Sequence, residues 1–197
     1  MSIKKEIPNI LTLGNLLAGC LGLYFVMQSK LEYAAYMVFI SLVCDFLDGF
    51  LARLLHAYSD IGKELDSLAD VVSFGILPSF ILLNLVEQSC GNQCTIGLFG
   101  FYKPFLVFSL ALMSAYRLAK FNVDTRQTDQ FIGVPTPANG LLVASLPLIL
   151  HFQPEYASYI LNFKGILIYS VLMSYLLVSE LPLMAFKFKT WDWKSNQ

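Results

Sequence analysis

Apolar runs long enough to cross a lipid bilayer recur along this chain, and no other sequence feature constrains its fold as tightly. A membrane helix needs about 20 predominantly apolar residues. Six stretches meet or approach that length, at about 10–27, 33–55, 65–86, 100–121, 137–152 and 165–186. Polar clusters at 89–93 and 153–155 read as connections. The spacing predicts an all-α polytopic membrane protein: a six-transmembrane-helix bundle forming a single domain over residues 1–197. Composition agrees, because 14% charged residues is well short of the roughly 25% of an average soluble domain. A formal net charge of −1 excludes a nucleic-acid binder, which needs a basic face. Disorder is excluded too, since disordered chains are polar and highly charged.

Basic residues set the expected orientation. With six spans and a cytoplasmic N-terminus, the inner side receives Lys4, Lys5, Arg53, Lys63, Arg117, Lys120, Arg126, Lys187, Lys189 and Lys194. The outer side receives only Lys30, Lys103 and Lys164. Both termini are therefore expected on the cytoplasmic side of the cell membrane, with Tyr102, Trp191 and Trp193 at interfaces. Cys20, Cys44, Cys90 and Cys94 are too few and too scattered for a disulfide scaffold. Cys90 and Cys94 fall outside in this orientation, where a disulfide is chemically permitted. Neither His56 nor His151 lies near them, which argues against zinc. Lys4 and Lys5, followed by an apolar run to Cys20, have the outline of a lipoprotein signal. Asn9, Thr12 and Asn15 interrupt that run, and more membrane helix follows it.

Spans two and three carry carboxylates that lipid-facing helices would not. Asp45 and Asp48 are three residues apart and Asp66 and Asp70 four, so each pair shares a helix face. The short connection from Leu55 to Ile61 makes the two helices antiparallel neighbours, so all four carboxylates converge near one membrane face. Ionisable groups inside a span mark functional cavities by default. Four carboxylates in a partly dry cavity need cations to stay charged. All-oxygen ligands favour hard divalent ions such as Mg²⁺ or Mn²⁺, and two ions would suit phosphoryl transfer. Gly49 and Ala52 let a ligand lie close to the helix backbone, and Arg53 suits bidentate pairing with phosphate. Taken alone, those three residues also fit helix packing and a snorkelling arginine.

The segment reads D-x2-D-G-x2-A-R-x8-G-x3-D-x3-D through Asp45, Asp48, Gly49, Ala52, Arg53, Gly62, Asp66 and Asp70. It resembles the signature of the CDP-alcohol phosphotransferases, integral membrane enzymes that move a phosphatidyl group from a CDP-linked lipid to an alcohol. The resemblance implies that Asp45, Asp48, Asp66 and Asp70 ligate Mg²⁺ or Mn²⁺, with two ions bound. It also implies that Asp70 is the general base. Gly49 and Ala52 would face the cytidine and Arg53 the diphosphate, with Gly62 completing the CDP-lipid site. Asn9 and Thr12, three residues apart in a Pro-Asn-x-x-Thr run, would reach the nucleotide; helix capping and interhelical bonding are the alternative reading. The resemblance further implies a homodimer.

Three further stretches are similar to the phosphatidylserine synthase branch: 66–78, Tyr116-Arg117-Leu118-Ala119-Lys120-Phe121-Asn122, and Gly133-Val134-Pro135-Thr136-Pro137-Ala138. Lys120 and Val134 stand where the branch typically has Arg and Leu. That similarity implies CDP-diacylglycerol as donor and L-serine as acceptor, with CMP released. Arg117, Lys120, Asn122 and Thr136 are the serine-binding candidates. The basic residues also suit a positive-inside anchor, Lys120 also suits a lipid phosphate, and the prolines also suit a rigid start to span five. Glycerol 3-phosphate or an inositol phosphate would call for a denser basic cluster, while an ether-lipid donor would differ only in its apolar tails. A phosphohistidine route would need H-x-K, and neither histidine is followed by Lys two residues on. No glycine-rich nucleotide loop is present. Cation transport is the non-enzyme alternative. Against it, the acids gather near one face, spans four to six offer only Glu180, and no inverted repeat is evident.

Overall fold

The computed structural model describes residues 3–90, 103–123, 131–180 and 182–183. Tyr102, Arg126, Lys187, Lys189, Lys194, Trp191, Trp193 and Cys94 lie outside the described residues. The order is α1 (Ile3–Met27), α2 (Leu31–Leu54), α3 (Asp60–Asp70), a π-helical segment (Val71–Ile76), α4 (Leu77–Cys90), a 3₁₀ turn (Lys103–Phe108), α5 (Ser109–Val123), β1 (Phe131–Ile132), α6 (Thr136–Phe152), a second 3₁₀ turn (Pro154–Tyr156), α7 (Ala157–Ile160), α8 (Phe163–Val178) and β2 (Pro182–Leu183). Apart from one two-residue antiparallel ladder, β1 to β2, the described regular structure is helical.

Among the described residues, four helices are long and apolar enough to span a membrane: 6–27, 31–54, 60–90 and 103–123. A fifth candidate is the pair Pro154–Ile160 and Phe163–Val178, bent by 67°. Thr136–Phe152 is a shorter apolar helix of 17 residues. Each of the six expected stretches thus holds a helix, with shifted ends, but four of them, or five with the bent pair, are candidate spans among the described residues. Span three begins at Asp60 rather than near 65, because Ser59 caps α3 by accepting from the Gly62 N–H at 3.0 Å. The last helix stops at Val178, short of 186, and Pro182 lacks the N–H that would continue it.

The run from α3 through α4 is the axis of the bundle. Phe74, Leu77, Ile81, Leu82, Leu85 and Val86 are all fully buried. Around them close Ala34, Ala35 and Val38 of α2, Leu110 of α5, Val143 and Ala144 of α6, and Leu177 of α8. Small residues allow the close approaches: a Cβ on Gly19 would come within 3.2 Å of the Ser73 Cα. Outward faces are apolar as well, including Leu13 and Leu17 of α1, Val43, Phe46 and Phe50 of α2, and Ile168, Val171 and Tyr175 of α8. Exposed apolar surface on this scale is what a lipid-facing helix presents.

Two junctions position the functional end. Gly133 adopts φ +74°, and a Cβ there would lie 2.7 Å from the Leu177 carbonyl. With the Val134 N–H donating to the Leu176 carbonyl at 3.2 Å, this pins the start of α6 to the end of α8. Pro135 precedes α6 in extended conformation and a proline occupies its first turn, so the rigid start expected of that segment is present.

Candidate active site

The chain reverses between α2 and α3 in a tight turn. His56 takes φ +49°; its N–H donates to the Arg53 carbonyl at 3.3 Å and the Ala57 N–H to the Ala52 carbonyl at 2.9 Å. This pair of bonds is a Schellman motif, which satisfies the last carbonyls of α2. With Ser59 capping α3, the turn sets the carboxylates of one helix against those of the next. One oxygen each from Asp45, Asp48 and Asp66 lies within 4.8 Å of the others. Asp48 is buried and the other two are half-buried. Asp66 Oδ1 is buried without a hydrogen-bond partner. Three converging carboxylate oxygens, one with unused acceptor capacity, fit a hard divalent cation.

Asp70 stands outside that trio, one turn further along α3. It is buried, and its Oδ1 accepts from Asn15 Nδ2 at 3.1 Å. Asn15 is itself fixed, since its main-chain oxygen accepts from Ser41 Oγ at 3.2 Å and from Ser73 Oγ at 3.0 Å. One turn earlier on α1, Thr12 Oγ1 donates to Asp48 Oδ2 at 2.6 Å. A π-helical turn begins immediately after Asp70, the kind of helix irregularity frequent at functional sites. Among the described residues, Asp48 and Asp70 are the buried carboxylates.

A partly open cavity of about 210 Å³ adjoins the cluster. Asn9, Thr12, Asp48, Gly49, Gly62 and Asp66 line it, so the structure brings most of the expected CDP-lipid residues to one place. A Cβ on Gly49 would meet nothing within 4 Å. Asn9 Nδ2 donates to Glu6 Oε2 at 3.3 Å. Ala52 and Arg53 are not on this lining; Ala52 is half-buried and Arg53 exposed at the end of α2.

The four serine candidates separate into two groups. Arg117 Nη1 donates to Thr136 Oγ1 at 3.3 Å, joining α5 to α6. Lys120 instead pairs with Glu180 at 3.0 Å. Asn122 Nδ2 donates to Ser67 Oγ at 2.9 Å and to Glu64 Oε2 at 3.4 Å, and its carbonyl accepts from Lys63 Nζ at 2.9 Å. Glu180 is exposed rather than a buried acid, because α8 ends before it. Asn15 and Lys63 were not singled out from sequence. Asn15 carried a signal, being three residues after Thr12 and hence on the same helix face. Lys63 lines the cavity only because the turn at 55–59 folds it there.

Known proteins resemble the chain over nearly its whole length. The sequence profile of the CDP-alcohol phosphatidyltransferase family matches residues 5–184. A Helicobacter pylori protein named CDP-diacylglycerol–serine O-phosphatidyltransferase is 34% identical over 192 residues, covering 95% of this chain and 75% of its own length. A Bacillus subtilis protein of the same name is 32% identical, covering 92% of this chain and 91% of its own. A third of that name, from Methanocaldococcus jannaschii, is 31% identical over 91% of this chain and 75% of its own.

Proposed function

The chain belongs to the CDP-alcohol phosphatidyltransferase family, and on that premise we propose that it transfers a phosphatidyl group from CDP-diacylglycerol to L-serine. The relatives' shared name supports this donor and acceptor. The observation that carries the chemistry is the division of the carboxylates: three gather around one point, and Asp70 is held apart by Asn15. In this reading Asp45, Asp48 and Asp66 hold Mg²⁺ or Mn²⁺, two ions in all, with Asp70 as a further ligand. The bound cations would neutralise the diphosphate and the departing CMP.

The protein's own groups do the rest. Asp70 takes the proton of the serine hydroxyl. The hydroxyl oxygen bonds to the phosphorus that carries the diacylglycerol, and the bond from that phosphorus to the CMP oxygen breaks. Gly49 lets the nucleotide approach the α2 backbone, while Asn9, Thr12, Ala52 and Gly62 frame it. Arg53 reaches the diphosphate from the exposed end of α2. The cavity is small for a drug-sized ligand by the usual range of about 300–1,000 Å³. It therefore encloses only the polar head, and the acyl tails run along the apolar exterior. Arg117, Lys120, Asn122 and Thr136 receive the serine.

The same reading places both termini and the active site at the cytoplasmic face of the cell membrane. The basic residues support it, as does Cys90, which is disulfide-bonded at the far end of α4 and so suits an oxidising compartment. Six spans follow if α6 and α8 both cross, and the protein works as a homodimer.

The test is CMP release by purified protein from CDP-diacylglycerol, with Mg²⁺ or Mn²⁺ and a panel of acceptors. L-serine is expected to be preferred, and Asp70→Asn to abolish release. Preference for glycerol 3-phosphate or an inositol phosphate would keep the family chemistry and overturn the acceptor. No release with any acceptor would overturn the enzyme reading itself.

A further inference from the structure

One wall of the cavity beside the carboxylates lies outside the Asp-Gly-Ala-Arg signature. The positions 54–61, between Arg53 and Gly62, are left unspecified by that pattern. Three of them, Ala57, Tyr58 and Ser59, line the cavity. Tyr58 is the one aromatic among the described lining residues. Its neighbours are fixed on both sides. The Ala57 N–H closes the end of α2 by donating to the Ala52 carbonyl, and Ala57 is buried. Ser59 caps α3. Tyr58 therefore projects from a turn clamped at each end, yet it is 65% exposed. Its side chain makes no hydrogen bond or ring contact with another described residue.

The lining is ordered from one end to the other. Asp48 and Asp66 form the carboxylate end, where Thr12 bonds Asp48. About one helical turn back along α1 and α3 come Asn9 and Gly62, so close that a Cβ on Gly62 would lie 3.0 Å from Asn9 Oδ1. Pro8 and the 57–59 turn complete the lining beyond them. From Asp66 back to Asp60, α3 covers about 9 Å. A nucleoside diphosphate with its phosphates at the carboxylates thus lays its ribose by Asn9 and Gly62 and its base by Tyr58. An aromatic ring held there, without a partner of its own, offers a π-face. Such a face recognises a nucleobase by stacking.

We propose that Tyr58 binds the nucleobase of the donor, its ring covering one face of the base while the diphosphate lies at Asp48 and Asp66. The inference rests on the CDP-diacylglycerol reading above and adds a residue that the signature leaves open. Stacking tolerates any base, so Tyr58 supplies affinity for the nucleotide and leaves the choice of base to polar groups.

The test is steady-state kinetics of Tyr58→Leu and Tyr58→Phe in the full-length, metal-loaded protein. Three quantities are read: the CDP-diacylglycerol KM, the serine KM and the inhibition constant of added CMP, which carries the base but no lipid. Tyr58→Leu is expected to weaken CMP inhibition about tenfold, the scale of one lost base stack. The CDP-diacylglycerol KM should rise by a similar factor, with the serine KM unchanged. Tyr58→Phe keeps the ring and should restore most of the loss. The leucine variant loses no hydrogen bond or ring contact on folding, so its melting should match the wild type. Exposed tyrosines also anchor proteins at membrane interfaces, and the CMP constant separates the two roles. A raised CDP-diacylglycerol KM with unchanged CMP inhibition overturns the stacking in favour of an anchor. Unchanged CMP inhibition and unchanged KM in an active protein overturn the role of Tyr58 alone. A wild-type protein that releases no CMP from CDP-diacylglycerol with any acceptor overturns this inference and the donor reading together.

Discussion

Gly49→Ala separates a ligand-facing glycine from a packing glycine. Gly49 sits inside α2, where glycine costs roughly 0.5–1 kcal/mol relative to alanine. The added methyl meets no atom within 4 Å, so nothing in the free protein offsets that gain. The variant is expected to be more stable by about 0.5–1 kcal/mol, or about 1–4 °C in Tm for a chain of this size. The methyl nevertheless occupies the cavity beside Asp48. A displacement of about 1 Å at a reacting group costs up to about a hundredfold, so kcat/KM for CDP-diacylglycerol should fall about tenfold to a hundredfold while the protein melts higher. Gly62→Ala is the contrast, because its Cβ would lie 3.0 Å from both Asn9 Oδ1 and Ser59 Oγ. That variant should lose stability as well as activity. CMP release in detergent micelles and thermal unfolding of the same preparations give both numbers. A Gly49→Ala protein with raised Tm and unaltered kcat/KM would mean that the nucleotide does not lie along this face of α2.

Asn15→Ala removes a bond to a carboxylate, on the order of 1.5–3 kcal/mol, and should lower kcat by about tenfold to a hundredfold with little change in the CDP-diacylglycerol KM. Ser41 and Ser73 bond only to its main-chain oxygen, so those contacts survive and the loss in Tm is limited to that one bond, about 3–12 °C; an unaltered kcat would refute the positioning role. Chelation should abolish CMP release, and added Mg²⁺ or Mn²⁺ should both restore it and raise Tm by linkage, an effect absent in Asp66→Asn; metal-independent turnover would refute the carboxylate assignment. Gly133→Ala should destabilise the protein by more than the ~1 kcal/mol typical of a strained left-handed residue, since its Cβ would also press on the Leu177 carbonyl; a wild-type melting curve would show that the α6–α8 junction is not needed for stability.

Much of this architecture was legible because its signals are local. Spacing alone put Asp45 with Asp48 and Asp66 with Asp70, and a short connection alone made their helices antiparallel; the structure bears out the convergence of three of the four. Helix ends were less legible, because hydropathy sums side chains and does not register a cap at Ser59 or the missing N–H of Pro182. The residues proposed for the acceptor were least legible. Arg117 to Asn122 is one run in sequence, yet successive residues of a helix point in different directions. Arg117 turns to Thr136, while Lys120 leaves toward Glu180 and Asn122 toward α3.

The first helix has a part that its position in the chain would not suggest. Asn9, Thr12 and Asn15 recur every three residues, the spacing that keeps polar groups on one helical face. That stripe interrupted an otherwise apolar run and spoke against a signal peptide. In the folded protein each member meets a different component of the site: Asn9 lines the cavity, Thr12 bonds Asp48 and Asn15 bonds Asp70. Gly19, one turn beyond the stripe, lets the π segment approach so closely that Ser73 reaches the Asn15 carbonyl. A buried carboxylate is useful only if its orientation is set, and in hydrocarbon only protein groups can set it. The motif on α2 and α3 supplies the charged oxygens, and α1 determines where two of them point. Changes on α1 should therefore act on turnover more than on the carboxylates' presence, which is the pattern expected of Asn15→Ala.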